Sequence, residues 1–288
     1  MGELPMKTTE LSRIGRRKTL GLVLTYAFLV TLAISMLIPF AWMASASLQM
    51  DKDVFRFPFR WIPKEPRWKN YRLIWQRVPF FTFILNTTKL TVIVTCLQLF
   101  TSSLAAYAFA RLTFKGRDAI FMGYIATIAI PWQAYMVPQF VIMRRLGLGD
   151  SHMALILIQA FTAFGVFLMR QFFITIPKEL SEAARLDGLG EYGIFFRIIM
   201  PNAKPALATL TIFTFVTIWN DFMGPLIYLS SEKLKTIQLG LRMFIAQYSA
   251  EYSLIMAASL VSLIPVIVIF LFMQKFFIEG VASSGIKG

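Results

Sequence analysis

From Thr19 to Met50 the chain runs for 32 residues without a charged side chain. An apolar medium offers no water to the peptide groups, so such a run must satisfy its own backbone hydrogen bonds, as a helix or within a closed barrel. A helix crosses a hydrocarbon core of ~30 Å with about 20 residues at ~1.5 Å each. Basic residues precede the run as in a secretory signal, but its length far exceeds a signal's apolar core. It is therefore read as a retained first span. Five more stretches meet or approach the spanning length; the six cover roughly 19–43, 85–110, 119–143, 153–173, 205–229 and 253–274. With 57% hydrophobic and 15% charged residues, the chain departs from soluble domains toward one solvated by lipid.

These stretches predict an all-α polytopic membrane protein with six transmembrane helices. Residues 1–18 form a basic leading segment, 19–43 the first helix, 44–84 an external loop, 85–277 a five-helix core with a polar loop at 178–201, and 278–288 a tail. The formal net charge of +14 is read as loops flanking lipid, because no basic stripe with interleaved aromatics marks a nucleic-acid surface. A single cysteine, Cys96, and a single histidine, His152, permit neither an internal disulfide nor a metal set. Cys96 is expected to be a small buried hydrophobe, and His152 a polar residue near a helix end.

Placing the N-terminus in the cytoplasm puts 15 Lys and Arg on that side and 14 on the other, so the total decides nothing. The positive-inside rule, however, counts charges near span ends and in short loops. Arg16, Arg17 and Lys18 abut the first span, and Arg111, Lys115 and Arg117 crowd one short loop. Both termini are then cytoplasmic, and so is the loop between the fourth and fifth helices.

Several polar or helix-breaking residues admit two readings. Trp61, Trp68 and Trp75 are spaced by seven, one face of a helix, and serve either as an interfacial anchor or as a platform for an external partner. Pro131 and Pro138 in the third span mark a kinked packing helix or a broken helix lining a path. Trp219, Asn220 and Asp221 in the fifth span form an interfacial or paired acid with its neighbours, or a polar cluster facing a path.

The stretch SEAARLDGLGEYG (181–193) lies between two apolar segments. Ser181 is placed as a helix cap, and Glu182 favours a first turn. Ala183 and Ala184 form helix without bulk, so another surface can approach, and Gly188 or Gly190 ends the helix. Connections in compact bundles are often about 2–8 residues. This longer unit is a docking element or a helix resting on lipid.

Glu182-Ala183-Ala184, then Gly188, then Ile198 and Pro201 resemble the EAA signature of permease subunits of binding-protein-dependent ABC importers: E-A-A, three residues, G, nine residues, I, one residue, L-P. The chain departs once, with Met200 where leucine is usual, a swap that keeps volume and apolarity. IPWQAYMVPQFVIMRRLGLGDSHMALIL, FTFVTIWNDFMGPLIYL and FFIEGVASSGIKG extend the resemblance over nearly the whole chain, toward maltose-type carbohydrate permeases.

The resemblance implies a permease in a bacterial-type cytoplasmic (inner) membrane. It would pair with a homologous permease, two ABC ATPase subunits and an extracellular solute-binding protein that delivers a sugar. Glu182, Ala183, Ala184, Asp187, Gly188, Ile198 and Pro201 would form the element coupled to the ATPase. The tail, with Gly280, Gly285 and Lys287, would reach toward the same interface. The chain itself would bind no cofactor and would not be an enzyme; ATP and Mg would be used by the partner ATPase, and no G-x-x-x-x-G-K-[ST] loop occurs in the sequence. Gly188→Asp or Ala184→Asp is expected to uncouple transport without unfolding the chain. Trp219, Asn220, Asp221, Gln133 and Gln139 are the candidate contacts for a sugar. The family also handles polyols and glycerol 3-phosphate, but the spans show little positive charge beyond Lys89. An ion-coupled carrier is the rival of another class, with only Asp221 and Lys89 to hold its ion.

Overall fold

The computed structural model describes residues 8–245 and 251–285, with side chains for residue 19, residues 21–245 and residues 251–275. Among the described residues there is no strand. The uncharged run folds as α1 (Thr8–Ser47), and a one-turn α2 (Asp51–Val54), a loop and α3 (Lys69–Arg77) lead into α4 (Phe80–Arg111). The connection between the first two long helices is thus 48–79 rather than 44–84. Trp61 lies in that loop, Trp68 precedes α3 and only Trp75 is helical, so the three tryptophans do not share a helix face.

Helix α4 is the spine. Its buried positions include Phe83, Thr87, Thr91, Thr95, Gln98, Ser102 and Ala106, three or four residues apart and therefore on one side. It contributes to all three clusters of buried apolar side chains. Its hydroxyls let helices approach closely: a β-carbon at Gly165 would lie 2.7 Å from the Thr162 methyl and would collide with the Ser102 hydroxyl. Cys96 faces outward and is exposed, contrary to the buried position expected of it. His152 is buried at the start of a helix, where Nε2 lies 2.7 Å from the Leu234 carbonyl.

The next three apolar stretches are interrupted helices. The third comprises α5 (Arg117–Ala126), 3-10 turns at Thr127–Ala129 and Trp132–Ala134, and α6 (Met136–Arg145). Its break falls at Pro131, whereas Pro138 sits in the first turn of α6, where no intrahelical N–H bond is lost. The fourth is α7 (His152–Gln159) followed by α8 (Ala163–Thr175), bent by 40°. After α9 (Lys178–Leu186) and α10 (Glu191–Ile194), a π-helical turn (Phe195–Ile199) and α11 (Met200–Asn202) lead to the fifth, α12 (Lys204–Trp219) and α13 (Met223–Tyr228). A short α14 (Ile237–Met243) precedes the last helix, α15 (Tyr252–Gly285).

Among the described residues three helices, Gly21–Ser47, Phe80–Arg111 and Tyr252–Lys275, are long and apolar enough to cross a membrane, or four if the bent α7–α8 pair is one span. The third and fifth stretches do not form uninterrupted spans of the kind read from the sequence. Side chains take over from the backbone at the breaks. Gln98 Nε2 donates to the Gln159 carbonyl (2.7 Å) and Thr101 Oγ1 to the Ala160 carbonyl (2.9 Å). Such side-chain donors make a broken helix tolerable in an apolar surrounding.

Candidate functional site

Polar side chains gather at the helix breaks and around α9. At the first, the three helix breaks converge around a cavity of about 450 Å³. Trp132 and Tyr135 come from the α5–α6 break, Gln159, Phe161 and Thr162 from the α7–α8 break, Thr217, Asp221 and Gly224 from the α12–α13 break, and Gln98 from α4.

Asp221 is held firmly. Its Oδ1 accepts the Gly224 N–H (3.0 Å) at the start of α13, as a capping carboxylate does, and its Oδ2 accepts Gln159 Nε2 (2.7 Å). A β-carbon at Gly224 would lie 2.5 Å from that Oδ2 and 3.3 Å from Leu155 Cδ2, so only glycine lets the chain pass so close. Thr214 donates to Gln98 Oε1 (2.9 Å), and Gln98 in turn donates to the Gln159 carbonyl. One hydrogen-bonded chain therefore ties α4 to two breaks, and among the described residues no basic side chain lines the cavity.

Of the five expected sugar contacts, only Asp221 lines this cavity. Trp219 is a core residue instead: it is 1% exposed, stacks on Phe215 with centroids 5.6 Å apart and donates from Nε1 to the Ser262 carbonyl (2.9 Å). Asn220 is exposed and bonds to the Val216 carbonyl and to Gln238. Gln139 stands behind the wall, accepting Trp132 Nε1 (2.9 Å) and so orienting that indole. Gln133 is exposed and does not line the cavity. Gln98, Trp132 and Gln159 line the cavity instead; of these the two amides, isolated inside apolar runs, are a signal readable in the sequence, whereas Trp132 carries none.

The second place is α9 and its sequel. The helix begins at Lys178, after Pro177, so Ser181 is an interior residue rather than the cap. Ser181 and Ala184 face inward, 4% and 5% exposed, with Ala184 in the cluster formed by α4, α8 and α12. Glu182, Ala183, Leu186, Asp187 and Gly188 face outward. Ala184 therefore supports this chain's own packing, and Ala184→Asp would put a carboxylate into that cluster instead of leaving the fold intact.

The helix ends in a Schellman motif: Leu189 N–H donates to the Ala184 carbonyl (2.9 Å), Gly188 N–H to that of Arg185 (3.0 Å), and Gly188 has φ +84°. Asp187 is the C-cap residue, and its N–H donates to the Ala183 carbonyl (3.0 Å). Ile198 lies in the π-helical turn, its carbonyl accepting Asn202 Nδ2 (2.7 Å), and Pro201 is exposed in the first turn of α11.

Glu191 binds this unit to the spine. Its Oε2 accepts the Tyr107 hydroxyl of α4 (2.6 Å) and its Oε1 accepts Arg185 Nε (3.0 Å). Tyr107 above all, then Arg185, holds the Glu191 carboxyl below the usual carboxylate range. Arg111, also on α4, donates to the Phe173 (2.7 Å) and Ile176 (2.6 Å) carbonyls at the end of α8. Gly280 and Gly285 fall in the last part of α15, so that segment is helical to Gly285, and Lys287 lies outside the described residues.

Residues 98–282 match the family model described as binding-protein-dependent transport system inner membrane component. The chain is 34% identical over 264 residues to the arabinooligosaccharides transport system permease protein AraQ of Bacillus subtilis, covering 91% of this chain and 94% of that one. It is 34% identical over 280 residues to the melibiose/raffinose/stachyose import permease protein MelC of the same species, covering 96% and 100%. Among solved structures it resembles a chain of a bacterial ABC transporter involved in the import of the acidic polysaccharide alginate, with TM-score 0.79, 26% identity and coverage of 95% and 100%. The match to 98–282, which contains the α9 unit and all three helix breaks, places this chain in the family of inner membrane components of binding-protein-dependent transport systems, among permeases of carbohydrate ABC transporters.

Proposed function

We propose that the protein is one of two homologous permease subunits that together pass a sugar or oligosaccharide across the membrane, driven by ATP hydrolysis in a separate pair of ABC ATPase subunits. The outward side of α9, anchored from within by Ala184 and closed by Gly188, is the observation that carries this reading. It offers an exposed projection that a motor subunit can grip, and Glu191 transmits its displacement to α4 through Tyr107. The chain crosses the membrane six times, with three intact helices and three interrupted ones, and both termini are cytoplasmic. A solute-binding protein delivers the sugar from the other face. This chain is not an enzyme and binds no cofactor; ATP and Mg belong to the ATPase.

The cavity at the three breaks is the path segment contributed by this subunit. Aromatic faces at Trp132 and Tyr135, amides at Gln98 and Gln159, and the absence of any lining cation among the described residues fit an uncharged saccharide better than a phosphate ester. Glycerol 3-phosphate is accordingly disfavoured, and a polyol fits the same wall.

The test is uptake in cells that carry the complete transporter. Uptake continues when an ionophore collapses the ion gradients and stops when ATP is depleted; the reverse result means an ion-coupled carrier. Ala183→Asp and Gly188→Asp should abolish uptake while the protein remains in the membrane at normal level. Both sites face outward, a β-carbon at Gly188 meets nothing within 4 Å, and aspartate tolerates positive φ better than most residues.

A further inference from the structure

The connection between α1 and α4 is rich in charge of one sign. Residues 51–77 carry Lys52, Arg56, Arg60, Lys64, Arg67, Lys69, Arg72 and Arg77 against Asp51, Asp53 and Glu65. Two of these acids are already engaged: Asp51 Oδ1 accepts the Ser253 N–H (2.9 Å) and hydroxyl (2.8 Å), and Asp53 pairs with Arg56 (3.6 Å). Arg77 is neutralised by Glu251 (3.0 Å). Among the described residues no acid lies within ion-pairing distance of Arg60 or Lys64.

Arg60 and Lys64 share a cavity of about 240 Å³ with Arg56, Gln49, Asp53 and Glu65. The cavity is built rather than incidental. Its Arg60 segment is pinned to the end of α1: Gln49 Nε2 (2.9 Å) and Ser45 Oγ (3.2 Å) both donate to the Arg60 carbonyl, from residues 5% and 7% exposed. Asn70 of α3 donates in turn to the Ser47 (2.8 Å) and Gln49 (3.1 Å) carbonyls.

The surroundings are apolar and outward-facing. Phe57, Ile62 and Trp61 are 94%, 84% and 53% exposed. Trp61 meets Phe59 edge-on (centroids 5.3 Å), Phe59 lies 6.1 Å from Trp42 of α1, and residues 21–40 of that helix are all exposed. A cationic notch edged by aromatic and aliphatic side chains, at the end of a membrane helix, meets the zone where lipid phosphates and glycerol backbones lie. A soluble anion would find the charge but have no use for the apolar edge.

We propose that the Arg56–Lys64 loop binds the phosphate of an anionic phospholipid headgroup, with Arg60 and Lys64 as its cationic ligands and Trp61 against the lipid's apolar part. The loop thereby fixes the ends of α1 and α4 at the membrane face. The assignment needs only that the chain is a membrane protein and is independent of the coupling role of α9.

Native mass spectrometry of the full chain, purified in mild detergent, tests it with phosphatidylglycerol and phosphatidylcholine of equal acyl chains. The expected result is retention of phosphatidylglycerol at least about tenfold above phosphatidylcholine, with the preference falling as salt rises. Arg60→Gln combined with Lys64→Gln should bring the two lipids to parity, while Lys69→Gln, outside the cavity, should keep the preference. If the double variant does not fold, the salt dependence in the unaltered chain still decides. Equal retention of both lipids, an unchanged preference in the folded double variant, or a preference indifferent to salt overturns the proposal. Displacement of phosphatidylglycerol by millimolar inorganic phosphate would make it a free-anion site. Shielding of Lys64 from an amine-reactive label by the transporter's binding protein, but not by phosphatidylglycerol vesicles, would make it a protein dock.

Discussion

Helices α1 and α4 are both long and apolar enough to cross a membrane, yet they live in opposite surroundings. Gly21–Ser47 has none of its most apolar stretch buried, whereas a third of the corresponding stretch of α4 is inside the fold. The more apolar helix is the outer one. The buried face of α4 carries Thr87, Thr91, Thr95, Gln98, Ser102 and Ser103, whereas residues 21–40 of α1 present Leu22, Phe28, Leu29, Ile34 and Ile38 outward. Lipid tails are as apolar as leucine, so hydrophobicity does not drive one helix onto another; small residues and interhelical hydrogen bonds do. Polarity inside a span therefore marks the packed side, the inverse of a soluble helix.

This contrast can be broken most severely at the α4–α8 contact. Gly165→Leu should destabilise the chain by about 3 kcal/mol in thermal unfolding, because the new side chain meets Ser102 and Thr162. Ser102→Gly in the same chain should recover part of the loss, and no recovery would place the damage elsewhere. Next, Gln98→Leu makes α4 more like α1 in composition. It should nevertheless cost about 2 kcal/mol, because the Gln159 carbonyl loses its donor and Thr214 its acceptor.

A smaller effect is expected where α4 reaches the α9 unit. The folded Glu191 carboxyl lies below its ordinary range, so its stabilising contribution is present above the unfolded value of about 4.3 and is lost as pH falls through the lower folded value. Thermal midpoints of the protein and of Glu191→Gln should differ by a constant amount from pH 6 to 8, about neutral, and converge in acid below pH ~4. A gap that changes between pH 6 and 8, in the range about neutrality, would assign the titration to another group. Smallest of all, Leu29→Ala on α1 should change stability by no more than about 0.5 kcal/mol, since that side chain is 49% exposed. A larger loss would mean that α1 packs against another subunit at that position.

The helical class, the six apolar stretches and the α9 unit were legible from the residues themselves. Gly188 was readable because few residues but glycine sit easily at φ +84°. The division of labour within EAA was not: Ala183 and Ala184 are chemically alike, and only the orientation of α9 separates the outward one from the buried one. The cavity was half legible. Asp221 stood out as a lone acid in an apolar run, but Trp219 beside it turned inward. Its companions in the cavity wall, Gln98, Trp132 and Gln159, come from segments tens of residues away.

What the sequence alone determined is the solvent: long uncharged runs must become helices in lipid, because the backbone has nowhere else to place its hydrogen bonds. It also determined family membership, through the spacing from Glu182 to Pro201. Pro131 marked one break in the sequence, but tertiary structure alone decided where the fourth and fifth stretches break and which side of each helix faces inward. A break is tolerable only where another segment supplies the missing partner, as Gln98 and Thr101 do for the carbonyls of Gln159 and Ala160. That partner is remote in the chain, so no local pattern announces it.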